Sequence, residues 1–296
     1  MSFYPGKVII TGEHSVVYGH KALLSALSLG VTCEVESSSG VVNHATTDPY
    51  LKHILQLCSR ELGVRDIETT LTLKITSTLP AKSGLGSSAA VAAAVITAVF
   101  EYYGQHLSSA KLYPLVLEAE QYVHGRSSGA DPSIVVHGGS LLFQQGVTTP
   151  LESDFLTKQT FALVDSGAAT ESTGEMVALV AHHPEREALI VAIGAVSEAI
   201  VSQLQQGKYP VSLIRENHLL LARLGVVGAA AQDIIEQLWR MGIVAKITGA
   251  GGKTSGSGFI LAWHEDSVFL REQVNRLGVS TIITQLGNNR GKYNEN

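Results

Sequence analysis

Residues 84–88, Gly84-Leu85-Gly86-Ser87-Ser88, set two glycines and two serines directly ahead of an alanine-rich apolar run. Glycine lets backbone amides approach a ligand closely, and the unpaired amide protons at a helix start attract anions. The two serines add hydroxyls that can cap the helix or reach a magnesium ion. The segment, with Lys82 and Ser83 leading into it, fits a polyphosphate cradle, and it fits equally a plain helix cap.

Two other segments carry comparable chemistry. Gly249-Ala250-Gly251-Gly252-Lys253-Thr254 ends like a P-loop, but the position that needs the leading glycine holds Ile247, and a β-like run follows in place of a helix. Lys253 either reaches phosphates or is a solvated surface cation. The loop Gly125 to Ser133 contains Asp131 before Pro132, a pair that most often forms a turn. In the helix expected ahead of it, Glu118 and Glu120 point about 200° apart and cannot easily serve one site, whereas Glu120 and His124 share a face. Glu120 at the helix end and Asp131 in the loop could then face one metal–phosphate centre.

The elements that must hold these groups can be read from periodicity. A β-rich opening covers 8–10 and 31–36, a helix 50–62 and a strand 70–76. The most decided helix is 89–103, closed by Gly104, and another runs over 109–124 with Pro114 near its first turn. The polar stretch 144–153, with Gly146 and Pro150, reads as a connector and suggests a boundary near residue 155, giving domains 1–155 and 156–296. Beyond it come a strand at 161–164, helices near 185–205, 211–224 and 228–241, strands at 244–247 and 259–263, a helix, and a strand at 280–283. Helices beside a small antiparallel sheet make this half α+β.

Composition narrows the function. In 296 residues, 45% are apolar and 16% charged, which suits a globular enzyme with a sizeable core. The net charge of −5, with Lys and Arg scattered, offers no footprint for nucleic acid, so a small-molecule substrate is expected. The uncharged apolar stretch 89–100 is shorter than the roughly 18–20 residues of a membrane span, and the N-terminus lacks a signal-peptide pattern; no membrane association and a cytoplasmic location are expected. Cys33 and Cys58 have neither zinc-ligand spacing nor disulfide-scaffold density and are read as buried thiols.

In chain order, three segments resemble the signature motifs of the GHMP kinases, the galacto-, homoserine, mevalonate and phosphomevalonate kinases. They are Pro5-Gly6-Lys7 through Glu13-His14 to Gly19, the loop 84–90, and Ser128-Gly129-Ala130-Asp131-Pro132 with Gly138-Gly139. The Glu13-His14 pair is most similar to the mevalonate-specific branch. The resemblance implies a two-domain α/β (α+β) fold, with an N-terminal domain like domain 2 of ribosomal protein S5 and a ferredoxin-like C-terminal domain. It implies ATP-dependent phosphorylation of mevalonate, with phosphomevalonate or another small alcohol as alternative acceptor and a non-catalytic metabolite or nucleotide sensor as the reading from another class.

Roles follow from the same resemblance. Asp131 and Lys7 are catalytic. Lys82, Ser83, Gly84, Leu85, Gly86, Ser87 and Ser88 bind the ATP phosphates, and Ser88 and Glu120 hold Mg2+, with Ser87 the alternative serine ligand. Glu13, His14, Gly249 and Ala250 face the substrate, with Thr173 a weaker match. Related enzymes are often homodimers. The glycine loop at 249–258 is longer than the family's usual form and carries Lys253, a departure from the pattern.

Overall fold

The computed structural model describes residues 2–38, 47–80, 83–125 and 128–287, so Lys82 lies outside the described residues. Strand β1 (Phe3–Thr11) leads through a short 3-10 turn, Ser15–Tyr18, into the long β2 (Ala22–Ser37). Then come α1 (Pro49–Leu62), α2 (Ile67–Thr70), β3 (Leu71–Ser77), α3 (Ser87–Tyr102), α4 (Ser109–His124), α5 (Ala130–His137), β4 (Ser140–Gln144), β5 (Val147–Pro150) and α6 (Asp154–Lys158). The remaining elements are β6 (Phe161–Asp165), α7 (Thr173–Ala181), α8 (Arg186–Gln205), α9 (Val211–Arg223), α10 (Ala229–Arg240), β7 (Val244–Ile247), β8 (Phe259–Trp263), α11 (Ser267–Asn275) and β9 (Thr281–Thr284).

The first sheet is antiparallel and centred on β2. At 16 residues β2 is long enough to pair with β1 along one edge and with two strands in series along the other, β4 at Ala22–Ser25 and β3 at Val31–Ser37. Helix α3 lies on this sheet. Ten of its 16 residues are buried, mostly Ala and Val, and small side chains allow the neighbouring α1, α4 and α5 to close over it.

The second sheet runs β7-β8-β6-β9, all pairs antiparallel. Counting β6, β7, β8 and β9 as one to four, the order is 4-1-3-2, with α7 to α10 in the first crossover and α11 in the second. This is the ferredoxin-like βαββαβ arrangement in elaborated form. The break between the sheets falls between β5 and β6, but the larger core does not stop there: Tyr4, Val8, Ile96, Phe161, Ile200 and Leu261 belong to one contiguous cluster.

Several sequence expectations need correction. Residues 130–137 are a helix, so Asp131 stands in the first turn of α5 and not in a loop. Pro132 is tolerated there because the first turn needs no amide donor. Pro114 is the sixth residue of α4, past the first turn, and the helix continues without the amide that would have reached the Ala110 carbonyl. Most of the stretch 144–153, read as a connector, is a hairpin through Pro150, with Gln145 and Gly146 at φ 49° and 82°, the pair of positive angles that a tight two-residue turn requires.

Helix α8, at 20 residues, is long and apolar enough to cross a membrane by length and composition, beyond the 89–100 stretch considered from sequence. Half of its apolar window is buried inside the protein, where Leu189, Ile193, Ile200 and Leu204 supply core contacts and α9 packs alongside. Its apolarity is that of a core helix. Both cysteines are free and buried, as expected.

His218 on α9 is fully buried, its Nε2 bonded to Gln232 Oε1 at 3.0 Å and its ring edge-on to Trp239. Burial pushes its pKa down to about 4, with Lys246 adding to the effect. The unfolded chain therefore binds this proton more readily, and stability falls as pH drops from about 6.5 to 4, by up to roughly 3 kcal/mol from this residue. Urea unfolding of the protein and of His218→Gln between pH 7 and pH 4 is expected to show a shallower loss in the variant; parallel curves would refute it.

Candidate functional site

Lys7 sits inside β1 and is only 5% exposed. Its Nζ lies 3.2 Å from Asp131 Oδ1, and the Asp131 side chain remains one-third exposed, so the pair has one dry and one open end. Two contacts press the glycine–serine loop against Lys7. The Lys7 amide donates to the Leu85 carbonyl at 2.8 Å, and a Cβ on Gly86, at φ 74°, would stand 2.9 Å from Lys7 Cγ. Gly6 serves the same approach from the strand side, since a Cβ there would meet Leu79 Cδ2 at 2.4 Å and the Leu85 carbonyl at 2.8 Å.

No side chain closes the start of α3: Gly86 is its N-cap, and Ser87 and Ser88 are the first two helical residues. The helix therefore opens on backbone amides and serine hydroxyls, a donor set suited to phosphate oxygens. Gly84 is exposed and Leu85 anchors the loop in the core. Asp131 is held by a second glycine, Gly129 at φ 85°, where a Cβ would come within 2.6 Å of the Tyr113 hydroxyl.

Glu120 is 2% exposed on α4. The Tyr50 hydroxyl lies 3.2 Å from Glu120 Oε1 and 3.1 Å from the Ser88 carbonyl, so both residues are within one hydrogen bond of a single hydroxyl. Burial and the neighbouring Glu120 charge raise the Tyr50 pKa and keep it a donor. Glu118 turns away, as its spacing required, and makes a two-pronged pair with Arg60 at 2.8 Å on the exposed side. Among the described residues no three His, Cys, Asp or Glu side chains gather into a metal site. One buried carboxylate near Ser88 and the amides of the α3 start fits Mg2+, which usually takes one or two protein ligands and completes its shell with phosphate and water.

Glu13 and His14 follow β1 and meet the second sheet. Glu13 Oε1 pairs with Lys246 Nζ, each residue 1% exposed, and His14 Nε2 bonds the Ala250 carbonyl at 2.9 Å. Because a carbonyl only accepts, Nε2 carries the proton; burial lowers the His14 pKa, so the neutral ring keeps its Nδ1 lone pair for an incoming donor. His14 adopts φ 59°, a left-handed conformation that costs a non-glycine residue about 1 kcal/mol or more. Burial pushes Glu13 up and Lys246 down, and each charge opposes the other's shift. Thr248 completes the junction, accepting from the Ile9 amide at 2.8 Å and donating to its carbonyl at 3.1 Å.

The glycine loop after β7 is folded backbone against backbone. A Cβ on Gly251 would meet the Val226 carbonyl at 1.9 Å, and one on Gly256 the Gly167 carbonyl at 2.0 Å. Glu171 holds its tip by accepting from the Lys253 amide and the Thr254 hydroxyl, which leaves the Lys253 side chain exposed. Thr173 opens α7 at the surface. It is exposed as the first residue of that helix, just after Ser172, which caps it.

Sequence reasoning missed Tyr50 and Lys246. Nothing local marks Tyr50, whose partner is 70 positions away. Lys246 did carry a signal: a cation inside the all-buried strand Val244–Ile247 demands a buried partner.

The N-terminal domain profile of the GHMP kinases matches residues 49–139. A mevalonate kinase of Archaeoglobus fulgidus is 36% identical over 260 residues, covering 84% of this chain and 88% of that protein. The chain belongs to the GHMP kinase family. As a GHMP kinase it also superimposes on solved relatives. A mevalonate kinase crystal structure matches with a TM-score of 0.84 at 23% identity over 97% of this chain and 99% of that one. The L. major mevalonate kinase in complex with R-mevalonate gives 0.83 at 23% identity, covering 96% of each chain. These two likenesses establish the GHMP kinase fold.

The close approach at Gly86 yields a test. Gly63, at φ 67°, has open space where a Cβ would go, so Gly63→Ala carries only the conformational penalty of about 1–2 kcal/mol. Gly86→Ala carries that penalty and also displaces Lys7. Urea denaturation is expected to show a larger loss for Gly86→Ala, and only that variant should lose phosphoryl transfer; equal stability losses with activity intact would contradict the geometry.

Proposed function

We propose that this GHMP kinase transfers the γ-phosphoryl group of ATP to the 5-hydroxyl of (R)-mevalonate. The observation that carries the reading is the Lys7–Asp131 pair, 3.2 Å apart at the mouth of the uncapped α3 helix. The reading draws support from a carboxylate able to take a proton, a cation able to steady developing charge, and free helix-start amides, all adjoining Lys7. The 36% identity with a mevalonate kinase over most of both chains supports the acceptor, as does the Glu13-His14 pair.

The acceptor hydroxyl oxygen forms a bond to the γ-phosphorus as the bond from that phosphorus to the ADP oxygen breaks, and the hydroxyl proton passes to Asp131. An ordinary carboxylate is too weak a base to remove an alcohol proton early, so Asp131 chiefly orients the hydroxyl and accepts the proton once bonding to phosphorus is under way. The Lys7 ammonium stabilises negative charge on the reacting oxygens from its buried position. Ser83 to Ser88 line the phosphates, while Ser88 and Glu120, oriented by Tyr50, would hold Mg2+. When bound, that ion neutralises phosphate charge. The His14 Nδ1 lone pair suits a substrate hydroxyl.

Lobes 1–155 and 156–296 each contribute to this site, which sits at their junction. The free buried thiols and the core setting of α8 support a soluble, cytoplasmic enzyme.

Asp131→Asn keeps the shape of the site and removes the proton acceptor. ATP-dependent turnover on mevalonate, measured by a coupled ADP assay, is expected to fall by about 100-fold or more, with nucleotide affinity retained. Wild-type protein that ignores mevalonate while phosphorylating phosphomevalonate or another alcohol would reassign the acceptor. Unaltered turnover in Asp131→Asn would remove the mechanism.

A further inference from the structure

The charged side chains of the site form a row of alternating sign that extends beyond the groups facing the substrate. Asp131 on α5 pairs with Lys7 on β1; the Lys7 charge also favours the ionised form of Glu13; and Glu13 meets Lys246 on β7. Only Asp131, at the open end, reaches solvent to any extent, the other three being 5% exposed or less. At the closed end Lys246 donates to the Ile247 carbonyl at 2.8 Å and is felt electrostatically by His218 of α9.

Neutral groups tie the same junction beside the charged pair. Thr248 bonds both backbone groups of Ile9, and Thr11 bonds Ser197 of α8 at 2.8 Å. An ammonium buried within a strand has a desolvation cost of several kcal/mol that an apolar residue of similar size would avoid. What the ammonium provides is directed at Glu13. The Glu13 Oε2 atom is buried with no hydrogen-bond partner among the described residues, so Lys246 is the principal group opposing neutralisation of this carboxylate.

We propose, given the assignment of Lys7 and Asp131 to phosphoryl transfer, that Lys246 is a positioning residue: it keeps Glu13 negative behind Lys7, and so holds the Lys7 ammonium against Asp131. Without Lys246 the buried Glu13 loses the cation that chiefly opposes its desolvation and takes up a proton more readily. Lys7 then has a single anionic partner, at the solvent end, and drifts from the reacting oxygens. The charged and titratable groups in play are Lys7 and Lys246 facing Glu13, Asp131 facing Lys7, and His218 facing Lys246, the last neutral near pH 7.

The test is the pH dependence of kcat and kcat/KM between pH 6 and 9 for Lys246→Met, Lys246→Arg, Glu13→Gln and the double variant Glu13→Gln/Lys246→Met, with nucleotide affinity as a check on folding. Lys246→Met is expected to lose kcat on the order of 100-fold at pH 7, to keep its nucleotide affinity, and to recover as pH rises and Glu13 ionises again. Lys246→Arg should keep the wild-type profile, and the double variant should follow Glu13→Gln with no recovery. A Lys246→Met enzyme with wild-type kcat and an unmoved acid limb, whatever its melting temperature, would make the lysine a strut only. If Lys246→Met does not fold, the double variant, free of both buried charges, still decides. A profile matching Glu13→Gln supports the role, and a further tenfold loss overturns it. Asp131→Asn separates the layers: full turnover there sinks the site assignment, whereas an inactive Asp131→Asn beside an unmoved Lys246→Met profile sinks only the part played by Lys246.

Discussion

The contact between Glu13 and Lys246 is the constraint around which the rest of the molecule is arranged. Two opposite charges, both out of water, are tolerable only while they face each other, so the end of β1 and the strand β7 must meet in one register. Thr248 then bonds both backbone groups of Ile9, Ser197 meets Thr11, and the Ala250 carbonyl takes the His14 ring proton. The first strand thereby belongs to both sheets: by its ladder to β2, and by side chains to β7 and α8. Lys7, in the same strand, inherits its position from this arrangement.

Glycine supplies the complementary constraint. At Gly86 and Gly6 the missing side chain lets the glycine–serine loop lie on β1, and at Gly251 and Gly256 it lets one loop fold backbone to backbone on its neighbours. The site is thus a junction of strands and loops at distances that side chains would forbid. Charge fixes which strands meet, and the absence of Cβ atoms fixes how closely.

Much of this was legible in the sequence because it is encoded locally. Helices α1, α3, α4 and α8 to α10 carry apolar spacing and end signals within a few residues, and β7 and β8 are short apolar runs between turns. The pointing of Glu118 away from Glu120 follows from helical geometry alone. What escaped was set by distant partners or by local signals that have two meanings. Asp131-Pro132 reads as a turn because proline disfavours helix in the residue before it, yet Gly129 and the contact with Tyr113 start a helix there. The polarity of 144–150 is also that of an edge hairpin, a second meaning of the signal read as a connector. Tyr50 owes its place to residues 38 and 70 positions away.

The Glu13–Lys246 pair also orders events in time. Its partners are 233 positions apart, and Ile9 and Thr248 are 239 apart. During synthesis β1 leaves the ribosome long before β7 exists, so Glu13 spends most of translation hydrated and gives up that water only when the second sheet arrives. Contacts of such separation form late because the loop they close is nearly the whole chain. The first sheet can collapse around α3 early. The junction between Glu13 and Lys246 comes into being only when most of the chain has been made, and a nascent chain stalled before Lys246 presents the glycine–serine loop with Glu13 still lacking its buried partner.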